Sequence, residues 1–556
     1  MPCHEPKGSD PTLLTAAPKK TRSECPTGPS WLRTAAYGTL AAVVILRNAP
    51  VLGHDWVHFD DDINIFLNPN LTGGSLATVV WAWTDMTYIH RYIPAGWMMF
   101  DALFAAGGLE PFYFHAASLL LAVVNAGLLL SIALAWVEER GPTAPAGIGL
   151  ATLAVALATG HPLLAETVGW ASGLLYLAST CAALLAVRCA LRRTQSSAGW
   201  HRLKAAALYA TALLIYPIHL FLSVQLLLAR LLLSSPEGRA RTLRSALPDA
   251  AWWVPVSVIV GLANLTAARD PAAGHPALPA WADQDLVARI ARGSETFTGY
   301  VCRLLWPGPT SFFYAENAGP AQPIWLLVGL AGAVVLLLGH PRTRALTCKL
   351  LLLAVLALAP FLGIVDPRQS ACDRYALPVV CLGAVALAVG VTRPTRSTHW
   401  WAAAGLGLLA ISWQPYQNAL ARWRDTNALQ ARVDDVCQRH PNLRLGFTRP
   451  ALVAFLRGDE TDATRRLERA EQIFGPAPAI AETRAEMARI RRNLAQRIPL
   501  VQAVPYAALH FEIATDHRRR RQIAAAAAHE RAAAQLLRKR TDTYTAAKPE
   551  SGDPLR

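Results

Sequence analysis

Long uncharged apolar runs recur along this chain, at 119–134, 324–338 and 350–358, and they leave few folds open. A helix that is apolar all round must be covered on every side, by a large protein core or by lipid. Of the 556 residues, 53% are hydrophobic and 16% are charged, with a mean hydropathy of +0.26. An average soluble chain carries about 25% charged residues. A disordered chain, a fibrous repeat and an ordinary cytosolic enzyme are excluded. The fold class expected is all-α, a polytopic membrane helical bundle. The net charge of +15 does not call for nucleic acid, because Lys and Arg gather on the cytoplasmic loops of membrane proteins. Nine cysteines without CxxC spacing indicate neither a zinc site nor a dense disulfide framework.

Spans are expected near 34–52, 116–136, 147–163, 165–187, 205–216, 218–234, 250–267, 324–339, 349–365, 376–392 and 400–413. No small-residue cleavage site follows the first, which reads as an uncleaved helix rather than a signal peptide. Two basic loops, 188–204 and 239–244, bracket a stretch long for one crossing and short for two. Both loops are cytoplasmic only if the chain crosses an even number of times between them. Tyr216-Pro217 supplies the break, since proline lacks the N–H that the preceding turn needs. Eleven spans then place the basic loops at 342–349 and 393–396 inside as well. The polar loops 54–114, 161–166, 216–219, 267–322 and 366–375 share the opposite face with the tail from 414. Four regions are expected: a cytoplasmic, disordered N-terminus (1–33), a transmembrane domain (34–413), a degenerate helical-repeat region (414–503) and a basic helical tail with a disordered end (504–556).

The outer loops carry the chemistry. The first contains Asp60-Asp61-Asp62, three adjacent carboxylates whose mutual repulsion should raise at least one pKa and suit it to accept a proton. A solvated acidic turn is the plainer explanation. In the second, His161 and Glu166 stand between two apolar spans, where ionisable groups mark function or simply cap the next helix. The last has Asp373-Arg374-Tyr375; Arg374 could hold a phosphate through its paired donors, or serve a structural ion pair.

Phe59-Asp60-Asp61-Asp62-Ile63-Asn64 followed by Asn68-Pro69 resembles the first-loop signature of the GT-C superfamily of multi-spanning glycosyltransferases. The similarity is to the O-mannosyltransferase-like members that carry tetratricopeptide repeats. Tyr92-Ile93-Pro94 with Trp97, Phe114-His115 with Asn125-Ala126, and His161-Pro162 with Glu166 and Val168-Gly169-Trp170 match the segments that follow. Tyr300 with Arg303-Leu304-Leu305-Trp306-Pro307, and Asp373-Arg374-Tyr375, complete the order. The chain departs from that pattern at Leu174, Leu175 and Tyr176, where the family carries charged residues, at Ala122 in place of a histidine, and at Tyr216 in place of a lysine. In the tail, Trp423-Arg424-Asp425, His440-Pro441-Asn442 and the small-residue spacing from Gly458 to Ala470 resemble the entry to a repeat region. One or two such units fall short of the three or more that stand alone, so they must lean on their surroundings.

The resemblance implies transfer of a sugar from a polyprenyl-phosphate donor to a protein or glycan acceptor at the outer face of a membrane, with lipid as a further partner and the tail in the periplasm of a bacterial inner membrane. On it, Asp60 and Asp61 are the catalytic candidates, Asp61 first, with Glu166 as an orienting partner. Arg91, His161 and Arg374 are the phosphate-binding candidates. No cofactor is required, no metal ligands are assigned, and an acidic loop would admit a divalent ion. A transporter is disfavoured because the spans are nearly free of polar residues. A catalytically impaired scaffold that binds lipid-linked sugar or presents the tail to partners is the rival. Single cysteines introduced at 58, 370 and beyond 430 in a background lacking native cysteines should label from outside, whereas one at 195 should not. Equal labelling at 195 and 370 would refute the span count.

Overall fold

The computed structural model describes residues 30–138, 144–191, 198–233, 239–269, 286–305, 341–362, 372–391, 398–439, 445–476, 478–495 and 505–546. Among these there are helices and no strands. The helices begin with α1 (Ser30–Asn48), α2 (Leu76–Thr84), α3 (Pro94–Gly107), α4 (Pro111–Glu138), α5 (Pro145–Thr159) and α6 (Ala165–Gly169). There follow α7 (Leu174–Leu191), α8 (Ala198–Ile215), α9 (Leu222–Leu233), α10 (Arg239–Arg269) and α11 (Leu286–Leu305). Beyond them come Pro341–Leu358, Leu377–Val391 and Thr398–Ile411, then a set of tail helices. Five helical stretches are long and apolar enough to cross a membrane, or seven if each of two bent pairs is one span. The chain is a polytopic helical membrane protein. Nine of the eleven expected spans overlap single helices, 165–187 is broken, and 324–339 lies outside the described residues.

One extended core joins α1, α4, α5 and Leu377–Val391. Small side chains allow the close approach: Ala126 and Ala133 on α4, Ala151 and Ala154 on α5, and Ala384 and Ala388 on Leu377–Val391 are all buried. With lipid outside, tight packing rather than water exclusion holds such helices together. Trp31, Trp83, Trp200, Trp252, Trp400, Trp401 and Trp413 are exposed, and indole rings favour the membrane–water boundaries.

Both breaks fall where the sequence carries proline. Between α8 and α9 the axis turns through 118°, with Tyr216 extended (φ −163°, ψ 130°) ahead of Pro217. Between α5 and α6 the bend is 56°. The fourth span differs from expectation. Residues 165–187 are not one helix: α6 stops at Gly169, a short turn covers Ala171–Gly173, and α7 starts at Leu174. The reason is close packing: a Cβ on Gly173 would stand 2.7 Å from the carbonyl oxygen of Thr167.

The tail also departs from expectation. In place of one long basic helix there are two, Pro505–Arg519 and Ile523–Ala546, packed together. They are joined at Arg521, whose φ is +60°. This pair leans on the first loop. Tyr506 and Ala508 share a buried cluster with Phe66 and with the helices Leu445–Leu456 and Glu460–Phe474, while Ala525 and Ala528 join the cluster around Phe100 and Phe104. The helices Leu445–Leu456 and Glu460–Phe474, either side of Gly458, pack together through Ala451, Phe455, Ala463, Leu467 and Ala470.

Gly96 in the first turn of α3 lies under the end of α8: a Cβ there would stand 2.6 Å from the carbonyl oxygen of Ile215 and 3.1 Å from Leu175. Backbone cannot yield cheaply. Gly96→Ala should therefore destabilise the protein by about 1–3 kcal/mol, the usual cost of overpacking, seen as a lowered melting temperature in detergent; an unchanged value would refute this contact.

Candidate active site at the loop ends of the helices

The acidic triplet is split by the backbone. Asp60 adopts φ +65°, a left-handed conformation that Asp tolerates better than most residues, and its carbonyl oxygen accepts from Asn64 N at 2.7 Å. A π-helical turn, Asp62–Phe66, follows at once. The three carboxylates consequently diverge. Asp60 meets Arg91 at 3.5 Å and is partly accessible, with 21% of its side chain exposed. Asp61 points inward and is fully buried. Its Oδ1 accepts from Ser172 N at 2.9 Å and Ser172 Oγ at 2.6 Å, and its Oδ2 from Val57 N at 3.0 Å. Asp62 is buried beneath Tyr506, whose hydroxyl is 3.5 Å from Oδ2.

Asp61 is thus a latch between the first loop and the turn before α7. Trp170 Nε1 donates to Phe59 O at 3.0 Å, and Asn64 Nδ2 to Ser172 Oγ at 3.0 Å, closing the same seam from both sides. The pKa of Asp61 is raised to about 8 by burial, against the opposing pull of its three donors; repulsion from Asp62 is a lesser cause. The expected rise in pKa is therefore present, but burial rather than the charge triplet produces it. Of the two catalytic candidates, Asp61 is fully buried and Asp60 is partly accessible.

Glu166 and Arg374 form a buried ion pair. Arg374 Nη1 donates to Glu166 Oε1, and Arg374 N donates to Oε2 at 3.1 Å. The guanidinium lies over the rings of Trp170 (5.2 Å) and Tyr375 (4.9 Å). Glu166 therefore meets a cation from a different loop, Arg374. Tyr375 stacks on Phe361 at 4.2 Å.

Arg91 joins the two halves. Tyr216, Asp60, Tyr176 and Tyr375 all lie within electrostatic reach of it, and Tyr375 and Tyr176 also lie within reach of Arg374. Asp60 with Arg91 and Glu166 with Arg374 are thus linked electrostatically through Tyr176 and Tyr375. His161 Nδ1 accepts from Leu163 N at 3.3 Å, and the cation that bears on it is Arg47. Among the described residues no group of three or more His, Cys, Asp and Glu is arranged to hold a metal ion.

Ser172 carries no signal of its own in the sequence, and Tyr176 and Tyr216 read there only as departures from charge. Leu174 and Leu175, two of the other substituted positions, are buried among apolar side chains.

No protein-family model matches the sequence, and no curated protein does. Among solved structures, the chain is similar to the crystal structure of ArnT from Cupriavidus metallidurans bound to undecaprenyl phosphate. The TM-score is 0.37 at 16% identity, over 84% of this chain and 81% of that one.

Two variants separate latch from ligand-facing carboxylate. Asp61→Asn loses one acceptor oxygen and sets an amide against an N–H donor, so it should cost about 1–3 kcal/mol of stability; Asp60→Asn should cost almost none. The Asp61 pKa adds a pH signature. A raised folded value makes its stabilisation complete below the unfolded value of 3.8 and lost progressively as pH rises to about 8. Protection factors over residues 57–64, with the intrinsic pH dependence of exchange divided out, should fall across that window in the wild type and not in Asp61→Asn. Equal protection at both ends of the window in the wild type would contradict the buried latch.

Proposed function

We propose that the protein is a GT-C-type membrane glycosyltransferase that takes a sugar from a polyprenyl-phosphate donor and passes it to a hydroxyl of a protein or glycan acceptor at the outer face. The observation that supports this most is the pairing of one accessible carboxylate, Asp60 with Arg91, beside a second cation, Arg374, held by Glu166. All of them lie where apolar helices end.

The division of labour follows from the chemistry. Asp60 takes the proton of the acceptor hydroxyl as that oxygen attacks the anomeric carbon. The bond from that carbon to the phosphate oxygen breaks, its electrons pass to the phosphate, and the carrier leaves as a phosphate monoester with one further negative charge. Arg91 and Arg374 meet that charge. Glu166 keeps Arg374 from turning away, and the apolar helix faces supply the groove for the lipid. In this scheme Asp61 shapes the loop that presents Asp60, and His161 stays outside the phosphate contacts.

A scaffold that binds lipid-linked sugar without turning it over is favoured by one observation, the apolar burial of Leu174 and Leu175 where the family carries charge. Incubation of the purified protein in lipid with radiolabelled polyprenyl-phosphate sugars and candidate acceptors distinguishes the two. The enzyme should release label to an acceptor, and Asp60→Asn should reduce the rate about 10²–10⁴-fold, the usual contribution of general-base catalysis. Binding of donor without transfer by any acceptor would establish the scaffold. For Arg374, Ala should cost about 3–5 kcal/mol by stranding Glu166 in the interior. Lys should retain the fold and weaken donor binding, because it loses the planar fork.

A further inference from the structure

We propose that Tyr216 is a neutral hydrogen-bond donor to the phosphate of the ligand, and that Tyr176 is the positioning residue that aims it. The proposal rests on Arg91 and Arg374 forming the phosphate-facing side of the site.

The break after α8 is built to present this side chain. Tyr216 is extended where the helix ends, so its ring departs from the axis of α8. Its carbonyl oxygen accepts from Ser179 Oγ at 2.8 Å, and beyond Pro217 the ring nitrogen Nε2 of His219 shares a hydrogen bond with Thr180 Oγ1 at 2.9 Å. Positions 176, 179 and 180 follow the i, i+3, i+4 spacing of one helix face. That single face of α7 thus grips the break on both sides of the proline and sets Tyr176 against Tyr216, with ring centroids 4.4 Å apart.

The hydroxyl order then matters. Tyr176 OH donates to Tyr216 OH at 3.0 Å. A phenol has one proton to give, so with its oxygen accepting from Tyr176, Tyr216 directs its own proton elsewhere. Tyr176 is buried, whereas Tyr216 is only partly buried. Arg91 is within reach of both. Guanidinium groups only donate, so a group that meets both Arg91 and the Tyr216 proton carries several acceptor oxygens, and a phosphate ester fits. A chain of two hydroxyls in a water-poor site polarises its terminal proton.

The full-length protein in lipid nanodiscs can be titrated with undecaprenyl phosphate and, as the control lacking phosphate, undecaprenol. Wild type should prefer the phosphate. Tyr216→Phe should weaken undecaprenyl phosphate binding about tenfold or more, the size of one charge-assisted hydrogen bond, and leave undecaprenol binding unchanged. Tyr176→Phe should act in the same direction by a smaller factor, and Tyr216→Lys should restore binding by supplying a donor again. Unchanged phosphate binding in Tyr216→Phe would overturn the donor role while leaving the phosphate site standing. Equal losses for both lipids would overturn it too, since the residue would then only shape the groove. A wild type indifferent to the phosphate would instead bring down the reading of Arg91 and Arg374 on which the proposal rests.

Discussion

Two opposite charges buried where an apolar bundle meets its loops are the constraint on which this architecture turns. Neither Glu166 nor Arg374 can be stranded there without a cost of several kcal/mol, so each fixes the other. The pair ties the short helix after the α5 break to the loop that precedes Leu377–Val391. Those segments are more than 200 residues apart, and their union sets the guanidinium over the rings of Trp170 and Tyr375. Trp170 then reaches Phe59, and the Ser172 turn beside it receives Asp61. One ion pair thereby sets the walls, and one carboxylate latch sets the loop that closes them.

The tail is part of this arrangement rather than an appendage. Arg424 O accepts from Asp55 N at 2.8 Å, and Thr426 Oγ1 accepts from His58 N at 3.1 Å. Tyr506 packs on the ring of His58, 4.3 Å between centroids. The first loop is therefore clasped from behind by two separate stretches of the tail while its front edge, Asp60, stays partly accessible.

The helices were legible because apolar runs and basic loops obey simple rules of transfer and orientation, and Tyr216-Pro217 marked its own break. The loop chemistry was legible as composition but not as geometry. Three adjacent aspartates have the same sequence signal, yet one positive φ at Asp60 and a π turn after it send them to three different environments. Glu166 and Arg374 are 208 residues apart and carry no local sign of pairing. The tyrosines were read as losses, since a substitution pattern shows which charge is missing and not which hydrogen bond replaces it. The split of 165–187 was hidden because glycines at 169 and 173 look like ordinary small residues of a membrane helix until their backbone contacts are known.

The central claim is that Asp60, Arg91, Arg374 and the tyrosines between them face a lipid-linked phosphate. A polyprenyl phosphate carrying a photoreactive group next to its phosphate, irradiated on the full-length protein in nanodiscs and mapped by peptide mass analysis, tests it most directly. Crosslinks should concentrate in peptides containing residues 88–93, 170–176, 216 and 372–375, and excess unmodified polyprenyl phosphate should abolish them. Crosslinks spread evenly along the lipid-facing helices, or concentrated around His161 and Arg47, would contradict it.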